Sequence, residues 1–218
     1  MGYNVAIDGP AGAGKSTVAK RVAKELGFIY VDTGSMYRAL AVFFIKQGLK
    51  PEDTDKIAEV VKQAEVSIGY EDGAQQVFLN GENVTPFLRT EEVGHMASVS
   101  SAIGAVRAQL LELQRELAKT KDVVMDGRDI GTHILPDANV KVYLTASVET
   151  RGMRRYLELQ EKGVECNLDE ICREIAERDH RDMNREIAPL KQAEDAYYLD
   201  SSEMSIDQVV ETIKNLCK

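Results

Sequence analysis

Cysteine and histidine are scarce in this chain, and neither is arranged to do chemistry. The three cysteines, Cys166, Cys172 and Cys217, form no Cys-x-x-Cys pair, and the three histidines, His95, His133 and His180, are scattered. That spacing excludes a zinc ribbon or finger, and it gives no disulfide framework, so reduced thiols are expected. Positive charge is also short. Against 36 Asp and Glu there are only 27 Lys and Arg, a net charge of −9, which excludes a broad nucleic-acid or anionic-membrane footprint. No apolar run approaches the roughly 20 residues that a membrane-spanning helix needs. The opening Met1-Gly-Tyr-Asn-Val-Ala-Ile-Asp8 is too short and too soon interrupted for a secretory leader. These absences predict a cytoplasmic protein with no nucleic-acid or membrane partner.

What is present is an ordinary globular composition, 44% hydrophobic and 29% charged over 218 residues. That length buries a full α/β core and fits one main domain with an insertion better than two equal domains. Residues 3–8 read as a buried strand. A helix over 15–26 follows, with Val18, Ala19, Val22, Ala23 and Leu26 on one face and Gly27 as its stop. Residues 28–31 are the next strand, and cap-type Asp32 and Thr33 precede a helix over 35–47. Beyond a helical stretch at 54–64 the pattern changes. Short strands at 66–70 and 76–80 flank Asp72-Gly73, a hairpin signal. A long helix at about 103–119 leads to strands at 123–126 and 140–144. Two polar helices at 148–162 and 168–185 read as an exposed flap. Residues 197–199 and 205–216 give a last strand and helix. Strands separated by helical crossovers predict a central parallel sheet of about five strands with helices on both faces, and ligands sit beyond the carboxyl ends of such strands. Asp8, Asp32 and Asp126 all fall at such ends.

Between the first strand and first helix lies Gly9-Pro10-Ala11-Gly12-Ala13-Gly14-Lys15-Ser16-Thr17, which contains Gly-x-x-x-x-Gly-Lys-Ser. Glycines in this pattern let backbone N–H groups close around phosphate oxygens at a helix N-terminus, Lys15 would reach the β- and γ-phosphates, and Ser16 would ligate Mg²⁺. The pattern recurs by chance, but a strand before it and a helix after it remove most chance matches. Asp126 ends the run Val-Val-Met-Asp and is placed like a Walker B acid, holding Mg²⁺ directly or through water; the alternative is a plain strand-end cap. Such a loop serves GTPase switches and motor ATPases as well as kinases. No Asn-Lys-x-Asp segment is present to read guanine.

The acceptor side is legible in arginine. Seven of the 13 arginines lie from Arg151 to Arg185, and phosphoryl transfer between two phosphates needs cations to neutralise and align many oxygens. The rigid guanidinium fork binds phosphate in a bidentate way. Candidate donors are Arg38, Arg128, Arg154, Arg155, Arg178, Arg181 and Arg185. Helical spacing puts Arg178, Arg181 and Arg185 on one side, with Asp182 four residues after Arg178. Away from a phosphate loop this would read as a solvated face laced with ion pairs.

Four segments together resemble the bacterial cytidylate kinases, a branch of the P-loop nucleoside monophosphate kinases. They are the opening Ile-Asp-Gly-Pro-Ala-Gly-Ala-Gly-Lys-Ser-Thr, Asp32-Thr-Gly-Ser-Met-Tyr-Arg38, Asp126-Gly-Arg-Asp-Ile-Gly-Thr132 and Glu177-Arg-Asp-His-Arg-Asp-Met-Asn-Arg185. They run in the family's order across nearly the whole chain. The resemblance implies a P-loop kinase fold, transfer of the ATP γ-phosphoryl group to CMP or dCMP with Mg²⁺, and a monomer. It gives ATP to residues 9–17 and Arg154, and phosphates of donor or acceptor to Arg38, Arg128, Arg178 and Arg185. Asp182 receives the CMP ribose, and Ser98, Arg107 and Asp129 the base. Cytosine offers an amino donor to a carboxylate and two acceptors to an arginine and a hydroxyl. It further implies a core of about 1–34, 119–150 and 190–218, a nucleoside-monophosphate-binding region at about 35–118 with its small antiparallel insertion, and a helical lid at about 151–189. Rival readings are a P-loop kinase acting on another monophosphate or a metabolite hydroxyl, and a nucleotide-binding regulator without turnover.

Overall fold

The computed structural model describes residues 2–218. In chain order its elements are β1 (Asn4–Asp8), α1 (Lys15–Leu26), β2 (Ile29–Asp32), α2 (Thr33–Lys46), α3 (Thr54–Val60), β3 (Val66–Glu71), β4 (Ala74–Leu79), β5 (Glu82–Asn83), α4 (Glu91–Ser100) and α5 (Gly104–Thr120). They continue as β6 (Val123–Gly127), β7 (Val140–Thr145), α6 (Val148–Glu161), α7 (Leu168–Asn184), β8 (Tyr197–Asp200) and α8 (Ile206–Leu216). A one-turn π-helix spans Ile130–Ile134. The chain divides into two compact units, one of residues 2–30 with 121–218 and one of residues 31–120, and the division passes through β2.

The larger unit is built on a five-stranded parallel sheet in the order β2-β6-β1-β7-β8. Its central strand Asn-Val-Ala-Ile-Asp is apolar and buried because both of its edges are paired. Ile7 lies opposite Asp126 on one side and Val142 on the other. Val5, Ile7, Val124, Val142 and Leu144 meet Val18, Ala19 and Val22 of α1 and Val209, Val210 and Ile213 of α8 in one core. Each such large aliphatic group contributes roughly 1.5–3 kcal/mol when buried. The helices begin where their sequences provide caps. Asn167 accepts from the N–H groups of Asp169 and Glu170 at the start of α7, and Ser205 with Gln208 forms a reciprocal capping box on α8. Gly27 ends α1 in a left-handed conformation, φ 73°, its N–H turned back to the Ala23 and Lys24 carbonyls.

The smaller unit has α2, α3, α4 and α5 with the antiparallel sheet β3-β4-β5. The hairpin anticipated at Asp72-Gly73 has a two-residue turn with both residues at positive φ, 50° and 76°, and strands reaching Glu71 and Ala74. Two elements were not anticipated. A second tight turn at Asn80-Gly81, φ 49° and 83°, returns the chain as β5. Thr90 caps α4 by accepting from the Val93 N–H. The helix expected at 54–64 stops at Val60 and tightens into a 3₁₀ turn. Among the described residues, no helix is long and apolar enough to cross a membrane.

Candidate functional site

The site begins where β1 gives way to the glycine-rich loop. A Cβ on Gly9 would stand 1.9 Å from the Leu144 carbonyl oxygen of β7, so the chain leaves the sheet at a distance that only glycine permits. Gly12 and Gly14 follow at φ 75° and 85°. Gly14 caps α1 with no side-chain acceptor, which leaves the first N–H groups of that helix for an anion. Lys15 is buried, and its Nζ donates to the Pro10 carbonyl at 2.7 Å, closing the loop on itself. Burial first, and then the positive charge of Arg128, holds its ammonium well below the usual lysine range. The carboxylates of Asp126 and Asp8 oppose this. A bound phosphate would restore the charged form. Ala13 is buried within the loop, and Thr17 is exposed.

The carboxyl ends of β1 and β6 supply two acids. Asp126 accepts from Ser16 Oγ at 3.0 Å and from the Tyr30 hydroxyl at 2.8 Å, so the two oxygens expected to serve Mg²⁺ stand together. Asp8 accepts from the N–H groups of Ile130 and Gly131, both at 2.7 Å. It thereby fixes the start of the π-turn that follows Arg128 and Asp129. Burial pushes the Asp8 carboxyl up to about 6, against the opposing pull of those two N–H groups; the Asp129 charge adds to the rise. An unfolded aspartate titrates near 3.8. The folded protein therefore holds the extra proton between these values, and the stability tied to it is complete below about pH 4 and lost as pH rises to about 6. Relative to Asp8→Asn, the wild type is expected to lose on the order of 2–3 kcal/mol across this window and nothing more above it. Urea unfolding of both proteins from pH 4 to 7.5 checks this, and a pH-independent difference would refute it.

The last turns of α7 carry the acidic and basic candidates. Arg128 Nε donates to Asp182 Oδ2 at 3.0 Å, and Arg185 donates to Asp129 Oδ1 at 3.1 Å. Neighbouring residues 128 and 129 are thus cross-linked to 182 and 185 by two reciprocal ion pairs. Arg178 is half-buried, and its charge acts on Lys15. The expected one-sided set of Arg178, Arg181 and Arg185 is modified. Arg181 is exposed, Asp182 takes the buried side, and Arg185 lies past the helix end in extended conformation, its Nε donating to the Ala188 carbonyl at 2.6 Å. Arg154 donates to the Ser201 carbonyl at 2.9 Å, and Arg155 makes an exposed pair with Glu158. His95, His133 and His180 are all exposed.

The smaller unit holds the remaining candidates. Asp32 caps α2 by accepting from the Ser35 N–H at 3.0 Å. Gln75 of β4 exchanges bonds with the Asp32 backbone and reaches Ser35 Oγ at 2.8 Å, which ties the small sheet to the helix carrying Arg38. The guanidinium of Arg38 extends back over Gly34, where a Cβ would meet it at 3.2 Å. Arg107 is buried, lies over the Tyr37 ring at 5.6 Å and donates to the Ser101 carbonyl at 3.3 Å; Ser98 is half-buried on α4. Asp8 and Gln75 are the members of these networks to which motif reading assigned no role. For Asp8 alone there was a signal, its place at a strand end beside the glycine-rich loop.

A family model described as cytidylate kinase matches residues 5–218. The chain belongs to the cytidylate kinase family. Among curated members, the cytidylate kinase of Shouchella clausii is 50% identical over 217 residues, covering 100% of this chain and 96% of its own length. That of Caldicellulosiruptor bescii is 49% identical over 213 residues, covering 98% and 94%. An uncharacterized protein from Eubacterium ventriosum, 12% identical, superposes with a TM-score of 0.51 over 98% of this chain and 96% of its own, and shares the fold alone.

Proposed function

We propose that the protein transfers the γ-phosphoryl group of ATP to CMP or dCMP, giving ADP and CDP or dCDP. Beyond family membership, one observation supports this reading: two further guanidiniums, of Arg128 and Arg185, are held by Asp182 and Asp129 just past Asp126, the acid that accepts from Ser16 of the phosphate loop. A protein that only held ATP would have little use for them. A protein that brings a second phosphate up to the first needs such cations to stabilise charge spread over the transferring oxygens. In this reading residues 9–17 and Arg154 bind ATP. Arg38, Arg128, Arg178 and Arg185 bind phosphates of donor or acceptor, Asp182 takes the CMP ribose, and Ser98, Arg107 and Asp129 take the cytosine. The acceptor phosphate is itself the nucleophile, so no general base is required.

Ser16 and Asp126 fit Mg²⁺. Both are hard oxygen ligands, and Ser16 Oγ donates its hydrogen bond to Asp126 and so keeps its lone pairs for a cation. Among the described residues no group of three or more His, Cys, Asp or Glu side chains is placed to hold a metal, so the ion would take its other ligands from phosphate and water. When bound it supplies charge neutralisation at the phosphate oxygens. The segment at about 151–189 serves in this reading as a lid that excludes water, and about 35–118 as the acceptor region, in a cytoplasmic monomer.

A coupled ADP-release assay across CMP, dCMP, UMP and AMP tests the assignment. Turnover should be largest with CMP or dCMP, and equal rates with UMP or AMP would refute it. ATP turnover that does not respond to CMP would favour a non-catalytic nucleotide binder. Asp129→Asn is expected to narrow the ratio of CMP to UMP kcat/KM by about 10- to 100-fold while slowing CMP turnover less. An unchanged ratio would remove Asp129 from base recognition.

A further inference from the structure

Helix α6 buries only two of its residues, Arg151 and Gly152. The Arg151 guanidinium makes three directed bonds from its three nitrogens. Nε donates to the Ala146 carbonyl at 2.8 Å, one terminal nitrogen to the Ala11 carbonyl at 2.9 Å, and the other to Asp179 Oδ2 at 2.6 Å. Both side chains of the ion pair are at most 10% exposed. Ala11 lies in the phosphate loop between Pro10, whose carbonyl accepts from Lys15, and Gly12, where a Cβ would meet the Arg151 Cβ at 3.4 Å. The loop therefore rests on the stem of this arginine and is held by its head.

Stability gives a poor account of the arrangement. The second oxygen of the Asp179 carboxylate is buried without a hydrogen-bond partner. Such an oxygen loses its hydration without compensation, and a buried ion pair is often no better than apolar residues of the same size. What the pair does achieve is geometric. A planar guanidinium with three fixed partners has no freedom left, so the direction of its bond to Ala11 is set by Asp179. Asp179 in turn sits on α7 next to Arg178, whose charge acts on Lys15.

We propose that Arg151 is a positioning residue for the phosphate loop, fixing its curvature through the Ala11 carbonyl, and that Asp179 sets the plane of Arg151. Neither residue touches ATP in this scheme. The inference rests on the phosphate loop being the ATP site, as proposed above, and concerns the donor side of the reaction alone.

Two variants test it. Arg151→Lys keeps the charge but cannot hold three partners in one plane, and Asp179→Asn keeps the shape but removes the charge. Steady-state kinetics with ATP varied at saturating CMP, and the reverse, should show KM for ATP raised by about tenfold or more in Arg151→Lys, with KM for CMP within about twofold. Asp179→Asn should shift in the same direction by less. Thermal unfolding with and without ATP should show a smaller ATP-induced stabilisation in both. If the variants melt earlier but keep the wild-type KM for ATP when assayed well below melting, Arg151 is only a brace and the proposal fails. A matching rise in KM for CMP also overturns it. Should Arg151→Lys not fold, Asp179→Asn alone decides by the same criteria. Wild-type turnover is measured first. If CMP does not stimulate it, the functional reading fails, and the ATP-induced stabilisation still decides on loop positioning.

Discussion

Replacing Lys15 by alanine is expected to lower kcat for CMP phosphorylation by about 10³- to 10⁵-fold, a loss of roughly 4–7 kcal/mol of transition-state stabilisation. The residue is buried, tethered to the Pro10 carbonyl, and held by its surroundings below its normal basicity. Such a group has strong reason to accept an anionic partner, and more so as negative charge shifts between donor and acceptor oxygens. Binding of ATP should weaken far less than turnover, since the backbone N–H groups of residues 9–17 remain. Single-turnover kinetics alongside equilibrium ATP binding separates the two, and a variant within tenfold of wild type would refute the assigned role.

Arg178→Ala is expected to cost a similar 10³- to 10⁵-fold, by analogy with arginines that stabilise a transferring phosphoryl group. Its effect should fall on kcat and on kcat/KM for both substrates together, the mark of a contact made in the transition state. Arg181 is three residues away but exposed, and Arg181→Ala serves as a control with turnover near wild type. Equal losses in the two variants would mean that the cationic surface of α7 matters only as a field. A change confined to KM for CMP would make Arg178 a ground-state contact.

The central sheet was legible because its strands are apolar runs separated by amphipathic helices, with the glycine-rich loop at the first crossover. The same reading missed β5, whose two residues are too few to show a period, although Asn80-Gly81 beside the first hairpin turn was a usable signal. It missed α4 because Val93, Met96 and Ala97 give a short apolar stripe, even with Thr90 and two glutamates at the start. On α7, spacing alone grouped Arg181 with Arg178. Packing instead selected Asp182, which helical geometry places closer in azimuth, and the helix ended before Arg185.

The site was legible wherever a motif is local. Ser16 meets Asp126 at 3.0 Å, and Lys15 closes on its own loop at the Pro10 carbonyl. The Asp8 bonds to residues 130 and 131 and the Arg151 bond to Ala11 close over more than 120 positions of chain. No spacing rule reaches that far. Composition did show the concentration of arginine after residue 150, but not that Arg151 would be buried while Arg155 stays exposed.

The reciprocal pairs Arg128–Asp182 and Asp129–Arg185 contain two cations and two anions, and so sum to zero. Within the cluster, each of these four charges already faces an opposite one. Displacing one carboxylate would leave the other guanidinium still occupied. A ligand must offer a replacement for each carboxylate and new partners for the carboxylates released. Under the proposed function, a nucleotide offers such partners together, with phosphate oxygens, ribose hydroxyls and a base amine on one frame.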